Sequence, residues 1–325
     1  MSSESSRFVI GVDVGGTFTD VFFLDEASGR CEVAKVPSTP GDQSKGFIEG
    51  IQQKVADFAE VATVVHGTTV GTNALLERKG AKTGIITTGG FRDVLEMRRR
   101  DRPHTWGLWG QFEPVVPRDL RLEVAERTLA DGSIHIRVNP DEVKQAAQQL
   151  LSKGAESVCI VFINAYANSE NEQRALQALR EVWPNDYVGA STDILPEIRE
   201  FERTSTTTLN AYLQPVVASY LQKLENALAD DGFEGQVLIV QSNGGVMTVD
   251  TARQMPVRTA LSGPAAGVIA SAYIGEQAGF PNVITCDMGG TSFDVSLVAD
   301  AQSALAAQTS IDFGLTVRTP MIEMT

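Results

Sequence analysis

A ten-residue pattern occurs twice in this chain, at residues 12–21 and again at residues 286–295. Both copies read Asp-x-Gly-Gly-Thr-x-x-Asp-Val in the same register, and each lies between two apolar runs rich in β-branched residues. Apolar runs joined by a glycine turn are typical of β-hairpins. The chain is therefore predicted to contain two hairpins of the same design, far apart in the sequence.

The turn of each predicted hairpin has the composition of a phosphate-binding site. A Gly-Gly-Thr turn carries no bulky side chain, so its successive N–H groups can point into one concavity that suits a phosphate. Thr17 and Thr291 each add a hydroxyl donor, whereas Asp13 and Asp287 would repel a bare phosphate. Mg²⁺ would resolve this conflict, because it commonly bridges carboxylates and phosphate oxygens. Two ordinary hairpins are the alternative, but the repetition favours phosphate binding.

Five strings carry a resemblance to a known family. The paired hairpins are similar to the two phosphate loops of the superfamily of sugar kinases, acetate kinase, actin and the heat-shock chaperone ATPases. Together with the other strings they resemble the hydantoinase A and oxoprolinase family, from about Phe8 to the end of the chain. The strings are Gly-Val-Asp-Val-Gly-Gly-Thr-Phe-Thr-Asp at 11–20, His-Gly-Thr-Thr-Val-Gly-Thr-Asn-Ala at 66–74, Gly-Gly-Phe-Arg-Asp at 89–93, Ser-Asn-Gly-Gly at 242–245 and Ser-Gly-Pro-Ala-Ala-Gly at 262–267.

The resemblance implies an α/β fold, namely a duplicated actin-like (ribonuclease H-like) ATPase core with mixed sheets flanked by helices, its second half incomplete. Residues 1–200 would form an N-terminal hydantoinase/oxoprolinase domain with the first phosphate hairpin, and residues 201–325 the start of a second ATPase-core domain with the second hairpin. In the superfamily an adenosine-binding glycine turn follows the second hairpin. Because this chain stops before such a turn, we expect it to be the N-terminal part of a longer subunit.

Strands and helices alternate along the sequence, which also favours an α/β fold. Pro215 lies inside the longest predicted helix and is expected to kink it or to mark a helix boundary. Beyond the hairpins, strands are predicted at 32–36, 62–66, 82–87, 157–163, 187–190 and 237–241. Helices are predicted at 44–55, 70–79, 141–152, 169–182, 203–229, 248–254 and 264–278.

The resemblance also implies roles for individual residues. Asp13 and Asp287 would be catalytic and would hold Mg²⁺, directly or through water, while the two turns bind the phosphates of ATP. An isolated histidine such as His66 is more often structural, but the resemblance brings its segment close to the nucleotide cleft and favours a catalytic role. Phosphate contacts are expected from Gly15, Gly16, Thr17, Thr19, Gly289, Gly290, Thr291, Ser292 and, at a helix N-terminus, Gly263.

In the family that the chain resembles, ATP phosphorylates the carbonyl oxygen of a cyclic amide or a ketone. The expected function is therefore that of a subunit of an ATP-dependent hydrolase that opens a hydantoin, oxoproline or lactam ring, working with a second, hydantoinase B type subunit. A subunit of an ATP-dependent ketone carboxylase of the acetone or acetophenone type is the alternative. A non-enzymatic nucleotide switch is a third class, which the strings outside the hairpins disfavour.

Composition and charge restrict the partners and the compartment. The formal charge of −14 disfavours a nucleic-acid partner. No apolar run approaches the roughly 20 residues that span a bilayer, and residues 1–6 are polar, unlike a signal peptide. Cys31, Cys159 and Cys286 lie in apolar runs and are predicted to be buried, free thiols. We expect a cytoplasmic protein without a membrane partner.

A basic segment and two tryptophans each allow two interpretations. Residues 98–102 read Arg-Arg-Arg-Asp-Arg, which indicates either a solvated basic loop or a guanidinium clamp for a carboxylate or phosphate of the substrate. Trp106 and Trp109 follow, and they would belong either to a flap over a site or to a loop that docks on a neighbouring protein. The sequence does not distinguish these alternatives.

Overall fold

The computed structural model describes residues 7–39, 43–101, 103, 106, 110, 112–288, 293–311 and 314–324. The strands of this part of the chain are β1 (Phe8–Val14), β2 (Phe18–Asp25), β3 (Cys31–Pro37), β4 (Val61–Thr68), β5 (Thr83–Thr88), β6 (Arg121–Val124), β7 (Arg127–Thr128), β8 (Ile134–Ile136), β9 (Ser157–Val161), β10 (Val188–Ala190), β11 (Gln236–Val240), β12 (Val246–Thr248), β13 (Val283–Met288), β14 (Phe293–Ala299), β15 (Gln302–Ser303), β16 (Leu305–Ala306), β17 (Thr309–Ile311), β18 (Leu315–Val317) and β19 (Met321–Ile322). The helices are α1 (Gln43–Gln52), α2 (Val70–Leu76), α3 (Val94–Met97), α4 (Pro140–Ser152), α5 (Glu170–Arg180), α6 (Ser191–Ile194), α7 (Glu200–Asp230), α8 (Val249–Gln254) and α9 (Ser262–Gln277).

Every strand and helix predicted from the sequence is present, with shifts of a few residues at the ends. Helix α4 shows why such predictions succeed: Asn139 caps its N-terminus by accepting a hydrogen bond of 3.0 Å from the amide of Asp141, and Pro140 occupies the first turn. Most elements of two to four residues, such as β15 and α6, were not predicted, and β10 is an exception. The mixed α/β fold is confirmed.

The chain forms two compact units that do not follow the sequence order. Unit 1 comprises Met1–Asn73, Val217–Ala307 and Pro320–Thr325. Unit 2 comprises Ala74–Val216 and Gln308–Thr319. The two units therefore do not meet at a single point near residue 200. The expected boundary at that position stays a prediction about the order of domains along the sequence.

Unit 1 contains a six-stranded mixed sheet in the order β12-β11-β4-β1-β2-β3. The predicted first hairpin is confirmed, because β1 and β2 are antiparallel and connected by the Gly-Gly-Thr turn. Strand β3 extends this meander, whereas β4 returns through helix α1 and lies parallel to β1. Strand β11 is parallel to β4, so a strand from the second half of the sequence completes the sheet.

Helix α1 covers one face of the first hairpin. It approaches the sheet closely through Gly46 and Gly50, where a Cβ on Gly50 would lie 2.6 Å from Val21 Cγ2 and a Cβ on Gly46 would lie 3.1 Å from Thr19 Oγ1. The apolar side chains between helix and sheet form the core of this layer. They are Ile10, Val12, Val14, Val21, Phe23, Phe47 and Ile51, all buried.

The second predicted hairpin is also present in unit 1. Strands β13 and β14 are antiparallel with Asp287 opposite Asp294, as Asp13 lies opposite Asp20 in the first hairpin. Strand β15 extends this sheet on the β14 side. One face packs against α9 through the buried residues Ala265, Val268, Ala272, Val298 and Ile322. The turn itself, with Gly289, Gly290, Thr291 and Ser292, lies outside the described residues.

Unit 2 is organised around a parallel sheet in the order β10-β9-β5-β6. Its central strands β5 and β9 are buried throughout, which explains why they read as nearly continuous apolar runs. Helices α4 and α5 pack on this sheet, and Gly84 permits close contact with Leu150. The result is a large apolar core that includes Ile86, Leu150 and Phe162.

Helix α7 runs without interruption from Glu200 to Asp230, so Pro215 marks no helix boundary, and the alternative of a kink at Pro215 stays a prediction. The helix passes from unit 2 to unit 1 after Val216. Its first part is buried although it is rich in serine and threonine. Hydrogen bonds to distant segments offset part of this burial: for example, the Ser205 hydroxyl donates to the Thr316 carbonyl at 2.7 Å.

The three cysteines are free, as predicted, but their burial differs from the prediction. Cys159 is buried in β9, whereas Cys31 and Cys286 are exposed, because they lie on strand surfaces that no other element of the described chain covers. The expectation of three buried thiols is therefore wrong for two of them. Within the described ranges, no helix has the length and apolar character needed to cross a membrane.

Candidate functional site

Four neighbouring strands bring a row of charged and small residues together in unit 1. Asp13 on β1 lies directly opposite Asp20 on β2 and opposite Gly67 on β4, and Asp20 in turn lies opposite Lys35 on β3. Residues that pair directly across strands point to the same face of a sheet. The Lys35 ammonium lies 2.9 Å from both carboxylate oxygens of Asp20. Asp13 is therefore the member of the row without a cationic partner of its own in the described chain.

Two glycines leave the space that the Asp13 carboxylate occupies. A Cβ on Gly67 would lie 3.0 Å from Asp13 Oδ1, and a Cβ on Gly263 would lie 3.2 Å from the same oxygen. Gly263 belongs to the first turn of α9, whose unpaired N–H groups and dipole favour a negative charge. Glycine at both positions thus lets strand β4 and the start of α9 approach the carboxylate closely.

Hydrogen bonds connect the start of α9 to the end of β4 and to α2. The Ser262 hydroxyl donates to the Thr68 carbonyl at 3.1 Å and accepts from the Thr68 amide at 3.3 Å. The Leu261 amide donates to Thr72 Oγ1 at 2.9 Å, with Leu261 in the left-handed region at φ 60°. Two of the strings singled out in the sequence, at 66–74 and 262–267, therefore meet beside Asp13.

Asp13 and Asp287 both line one cavity of about 420 Å³ in unit 1. Asp20 lines the same cavity, together with Gly67 and Gly263. The equivalent carboxylates of the two repeated hairpins thus face a common space. The rest of the wall is largely apolar and includes Val12, Val21, Phe22, Val33, Val65, Val240, Ala266 and Ala270.

The electrostatics of the cavity disfavour an ionised Asp13. Desolvation, together with repulsion from Asp20 and Asp287, raises the pKa of its carboxyl group to about 6, against the opposing effect of Lys35. A cation placed among these carboxylates would relieve the repulsion. Among the described residues no group of three or more His, Cys, Asp or Glu is placed to hold a metal ion. One or two carboxylates with water and phosphate oxygens are the ligands typical of Mg²⁺, so the donor set fits a magnesium nucleotide.

The first glycine turn is held in place by Ser38. The Ser38 hydroxyl donates to the Gly15 carbonyl at 2.8 Å, and the Ser38 amide donates to the Thr17 carbonyl at 2.9 Å. The Gly15 amide donates to the Phe18 carbonyl at 3.0 Å and is therefore engaged within the turn. Gly16 and Thr17 are exposed, and no acceptor for their amides lies in the described part of the chain. Their N–H groups can serve an external anion.

Thr19 has a different environment from the other turn residues. Its side chain is fully buried, and its hydroxyl lies 3.1 Å from the hydroxyl of Ser38. This placement favours a role in fixing the turn over direct contact with a nucleotide. The expected phosphate contacts of Gly289, Gly290, Thr291 and Ser292 lie outside the described residues and stay predictions.

Comparison with protein families identifies the chain. The model described as the hydantoinase/oxoprolinase N-terminal region matches residues 9–183, and the hydantoinase/oxoprolinase model matches residues 203–325. The chain belongs to the hydantoinase/oxoprolinase family. This result confirms the resemblance that the repeated hairpins and the other strings indicated.

The relatives of this hydantoinase/oxoprolinase chain include enzymes of two kinds. An uncharacterised protein of Methanocaldococcus jannaschii is 38% identical over 89% of the chain and 43% of its own length. The caprolactamase subunit alpha of Pseudomonas jessenii is 35% identical over 91% of the chain and 44% of its own length. A nucleotide-free structure of acetone carboxylase, from work on ATP-dependent acetone carboxylation, has a TM-score of 0.86 at 31% identity and covers 98% of the chain and 48% of its own. The chain thus spans less than half the length of these relatives.

His66, the first residue of the family string at 66–74, is completely buried. Its Nδ1 lies 3.2 Å from the Val12 carbonyl and its Nε2 lies 2.8 Å from the Tyr220 hydroxyl. A carbonyl can only accept, so Nδ1 carries the proton and Nε2 accepts from Tyr220. Burial lowers the pKa of the imidazole to about 4, against the opposing hydrogen bond to Val12. This geometry favours the structural interpretation, in which His66 holds the strand beside Asp13.

The basic segment makes internal contacts within unit 2. The Arg98 guanidinium donates to Asp101 at 2.8 Å and to the Gly314 carbonyl at 2.5 Å, and it lies 3.6 Å from the centroid of the Phe112 ring. Arg99 pairs with the buried carboxylate of Glu202 at 2.5 Å. Both arginines thus make ion pairs within unit 2, and a role of the basic segment toward a substrate stays a prediction. Trp106 is exposed, while Arg102 and Trp109 lie outside the described residues.

Sequence reasoning missed three residues of this site. Asp20 carries a signal, because it recurs as Asp294 in the second copy of the pattern. Lys35 carries none, since only the register between β2 and β3 pairs it with Asp20. Gly67 stands inside a family string, but its closeness to Asp13 follows from the parallel pairing of β1 and β4.

Replacing Gly67 by alanine is expected to weaken magnesium-nucleotide binding by roughly tenfold, because the new Cβ pushes the Asp13 carboxylate from its position. Calorimetric titration measures the affinity, and thermal unfolding checks that the fold is retained. Gly189→Ala is the matched control, since a Cβ at this strand glycine meets no atom within 4 Å. An unchanged affinity in Gly67→Ala would show that the position of Asp13 does not matter for binding.

Proposed function

We propose that the chain is the phosphate-binding part of an ATP-dependent hydrolase subunit that opens a cyclic amide such as a hydantoin, oxoproline or lactam. One observation carries this proposal: the two repeated hairpins direct Asp13 and Asp287 into one cavity, beside the start of α9. Backbone N–H groups at a glycine turn and a helix N-terminus suit phosphate, and carboxylates beside them suit Mg²⁺. The cavity therefore has the donors that a magnesium nucleotide requires.

The carboxylates of the cavity, the first glycine turn and Lys35 have separate roles in this proposal. Asp13 and Asp287 would hold Mg²⁺, which when bound neutralises phosphate charge. The exposed amides of Gly16 and Thr17 would donate to phosphate oxygens. Lys35 would hold the Asp20 carboxylate in place beside Asp13. Positioning and charge neutralisation of this kind account for most of the catalysis of phosphoryl transfer.

The proposed reaction begins with activation of an amide carbonyl, which is a poor electrophile. The γ-phosphoryl group leaves ADP and forms a new P–O bond to the carbonyl oxygen. Water then attacks the carbonyl carbon and the ring nitrogen leaves with a proton. A second water releases the phosphate, so that the ring-opened amino acid, ADP and phosphate are the products. Coupling to ATP hydrolysis thus drives the opening of a stable ring.

A ketone carboxylase subunit is the second candidate, and the likeness to the acetone carboxylase structure favours it. Here the same phosphoryl transfer goes to a ketone oxygen, while the neighbouring carbon gives up a proton. The product is an enol phosphate. Transfer of its phosphoryl group to water breaks the P–O bond and leaves an enolate, whose carbon adds to the CO2 that bicarbonate gives by losing water, so the 3-oxo acid, ADP and phosphate are the products. Both candidates use the same phosphate-binding cavity and differ in the substrate and in the second reaction.

ATP turnover by the assembled enzyme distinguishes the candidates. The chain, purified together with its proposed hydantoinase B type partner subunit, is expected to release phosphate when a cyclic amide is added without bicarbonate. Mass spectrometry should then find one ring-opened product for each ADP. Strict dependence on bicarbonate plus ketone would favour the carboxylase instead. Turnover that ignores every small substrate and responds only to a protein partner would overturn both.

A further inference from the structure

The face of the first hairpin that carries Asp13 presents two adjacent rows of side chains. The carboxylate row runs across four strands and consists of Gly67, Asp13, Asp20 and Lys35. The apolar row runs across the same four strands and consists of Val65, Gly11, Phe22 and Val33. Residues two positions apart along a strand point to the same face, at a spacing of about 7 Å. An apolar surface therefore lies directly beside the proposed magnesium site.

The apolar row forms a hollow inside the cavity. Among the described atoms, a Cβ on Gly11 would meet only the Phe22 Cβ, at 3.8 Å, so the glycine leaves space between Val65 and Phe22. Phe22 is 46% exposed and Val33 is 74% exposed, although both side chains are apolar. All four residues of the row line the same cavity as Asp13. The row is therefore an apolar surface that is open to a ligand, as is typical of small-molecule sites.

The charges around the cavity disfavour a ligand that carries a carboxylate on the apolar row. Among the described residues that line the cavity, three are aspartates and none is lysine, arginine or histidine. Lys35 belongs to the carboxylate row, where its ammonium contacts both carboxylate oxygens of Asp20. A carboxylate placed on the apolar row would lose hydration without gaining a cationic partner, which is costly. An uncharged hydrocarbon ring gains free energy from the same surface.

The position of the apolar row suits the phosphoryl acceptor better than the base of the nucleotide. The acceptor oxygen must contact the γ-phosphate, whereas the ribose and the other two phosphates separate adenine from it. We propose that the apolar row is the acceptor subsite, where the hydrocarbon ring lies over Gly11 and its carbonyl oxygen is directed toward the carboxylate row. This subsite rests on the proposed function and narrows it to uncharged cyclic amides such as simple lactams. Gly11, Phe22 and Val33 set this specificity.

Two substrates that differ in one carboxylate test the charge of the acceptor. Pyrrolidinone and oxoproline share the same five-membered lactam ring, and only oxoproline carries a carboxylate on it. With the assembled enzyme, kcat/KM for ADP formation is expected to be about 100-fold or more higher with pyrrolidinone, because the carboxylate finds no cation. An equal or higher kcat/KM with oxoproline would overturn the acceptor subsite and leave the proposed ring-opening function intact. Turnover with neither ring, but with bicarbonate plus ketone, would overturn the proposed function and this subsite with it.

Gly11→Ala tests the location of the subsite, because its methyl group fills the hollow while the contact with Phe22 stays at an ordinary distance. The KM for pyrrolidinone is expected to rise by roughly tenfold, and the KM for magnesium ATP to stay within about twofold. Calorimetric titration of pyrrolidinone into the assembled enzyme with magnesium and a non-hydrolysable nucleotide measures the affinity without turnover. Gly189→Ala, in unit 2, is the matched control. A rise in the KM for magnesium ATP alone would show that the nucleotide occupies the row, and would overturn the proposal.

Val33→Arg supplies the cation that the apolar row lacks. Val33 is exposed, so the fold should be retained, and the guanidinium can pair with a carboxylate on the ring. The ratio of kcat/KM for oxoproline to that for pyrrolidinone is expected to rise by about tenfold or more over the wild type. Val246→Arg is the matched control, since Val246 is an exposed residue of β12 in the same sheet and does not line the described cavity. An unchanged ratio in Val33→Arg would show that the row does not contact the acceptor ring.

Discussion

Replacing Asp13 by asparagine is expected to lower ATP turnover of the assembled enzyme by roughly 10³-fold while the fold is retained. The substitution keeps the shape of the side chain between Gly67 and Gly263 but removes its negative charge. In the proposed function that charge holds a cation against the phosphates. Asp287→Asn is expected to act in the same direction, because Asp287 faces the same cavity from the equivalent position of the second hairpin. Phosphate release under saturating substrate measures both effects.

The control for Asp13 is an aspartate on the same hairpin outside the cavity. Asp25 ends β2 and accepts hydrogen bonds from the Ala27 amide and the Ser28 hydroxyl of the following turn. Asp25→Asn should leave turnover within about twofold, since surface substitutions away from a site have small effects. Near-normal turnover in Asp13→Asn would show that the carboxylate does not hold the cation.

The raised pKa of Asp13 allows a second test with the variant Asp13→Asn, through the pH dependence of Mg²⁺ binding. A cation competes with a proton for the carboxylate, so Mg²⁺ affinity of the wild-type chain should weaken as the pH falls below about 6. Binding at pH 6 should also release a fraction of a proton, which calorimetry in buffers of different ionisation enthalpy detects. In Asp13→Asn this component of the pH dependence should be lost.

The parts of the fold that the sequence predicts well are those with local causes. Each hairpin follows from apolar runs around a glycine turn, and α4 follows from Asn139 and Pro140 at its start. Very short strands such as β15 carry too few residues to show a period of two. Helix α7 does not end at Pro215, because packing along so long a helix outweighs the loss of one hydrogen bond.

The candidate site is less predictable, because it depends on contacts between distant segments. Asp13 is visible in the repeated pattern, but Lys35 joins the row only through the register of β3, and Gly263 reaches Asp13 only because Ser262 binds Thr68. Burial is equally non-local. Cys286 and Val12 occupy equivalent positions of the repeat, yet one is exposed and the other buried, because α1 covers only the first hairpin.

His66 is expected to make the protein less stable in acid. Its pKa is about 4 in the folded protein and about 6.5 in an unfolded chain, so between these values the unfolded chain binds a proton that the folded protein does not. The free energy of unfolding therefore falls as the pH decreases from 6.5 to 4. A difference of this size corresponds to about 3 kcal/mol for the single group. Urea unfolding at pH 7 and pH 4.5 measures the change.

Comparison with His66→Gln isolates this contribution from those of the carboxyl groups, because glutamine does not titrate. At pH 7 the variant should be less stable than the wild type by roughly 1 to 3 kcal/mol, since it disrupts a buried hydrogen-bonded ring beside Phe47. At pH 4.5 this difference in the free energy of unfolding should be smaller, because the wild type has then lost most of the contribution of His66. His135→Gln, at an exposed position of β8, is the matched control, since surface substitutions have small effects on stability.

Kinetic measurements on His66→Gln decide between the structural and the catalytic interpretation of His66. A structural imidazole that donates to Val12 and accepts from Tyr220 has no free nitrogen for proton transfer, so its loss acts through the position of the neighbouring Asp13. His66→Gln should then raise the KM for magnesium ATP and lower stability together, with a modest loss of kcat. A catalytic imidazole would give the opposite division: a loss of kcat by two orders of magnitude or more, with little change in the KM for magnesium ATP.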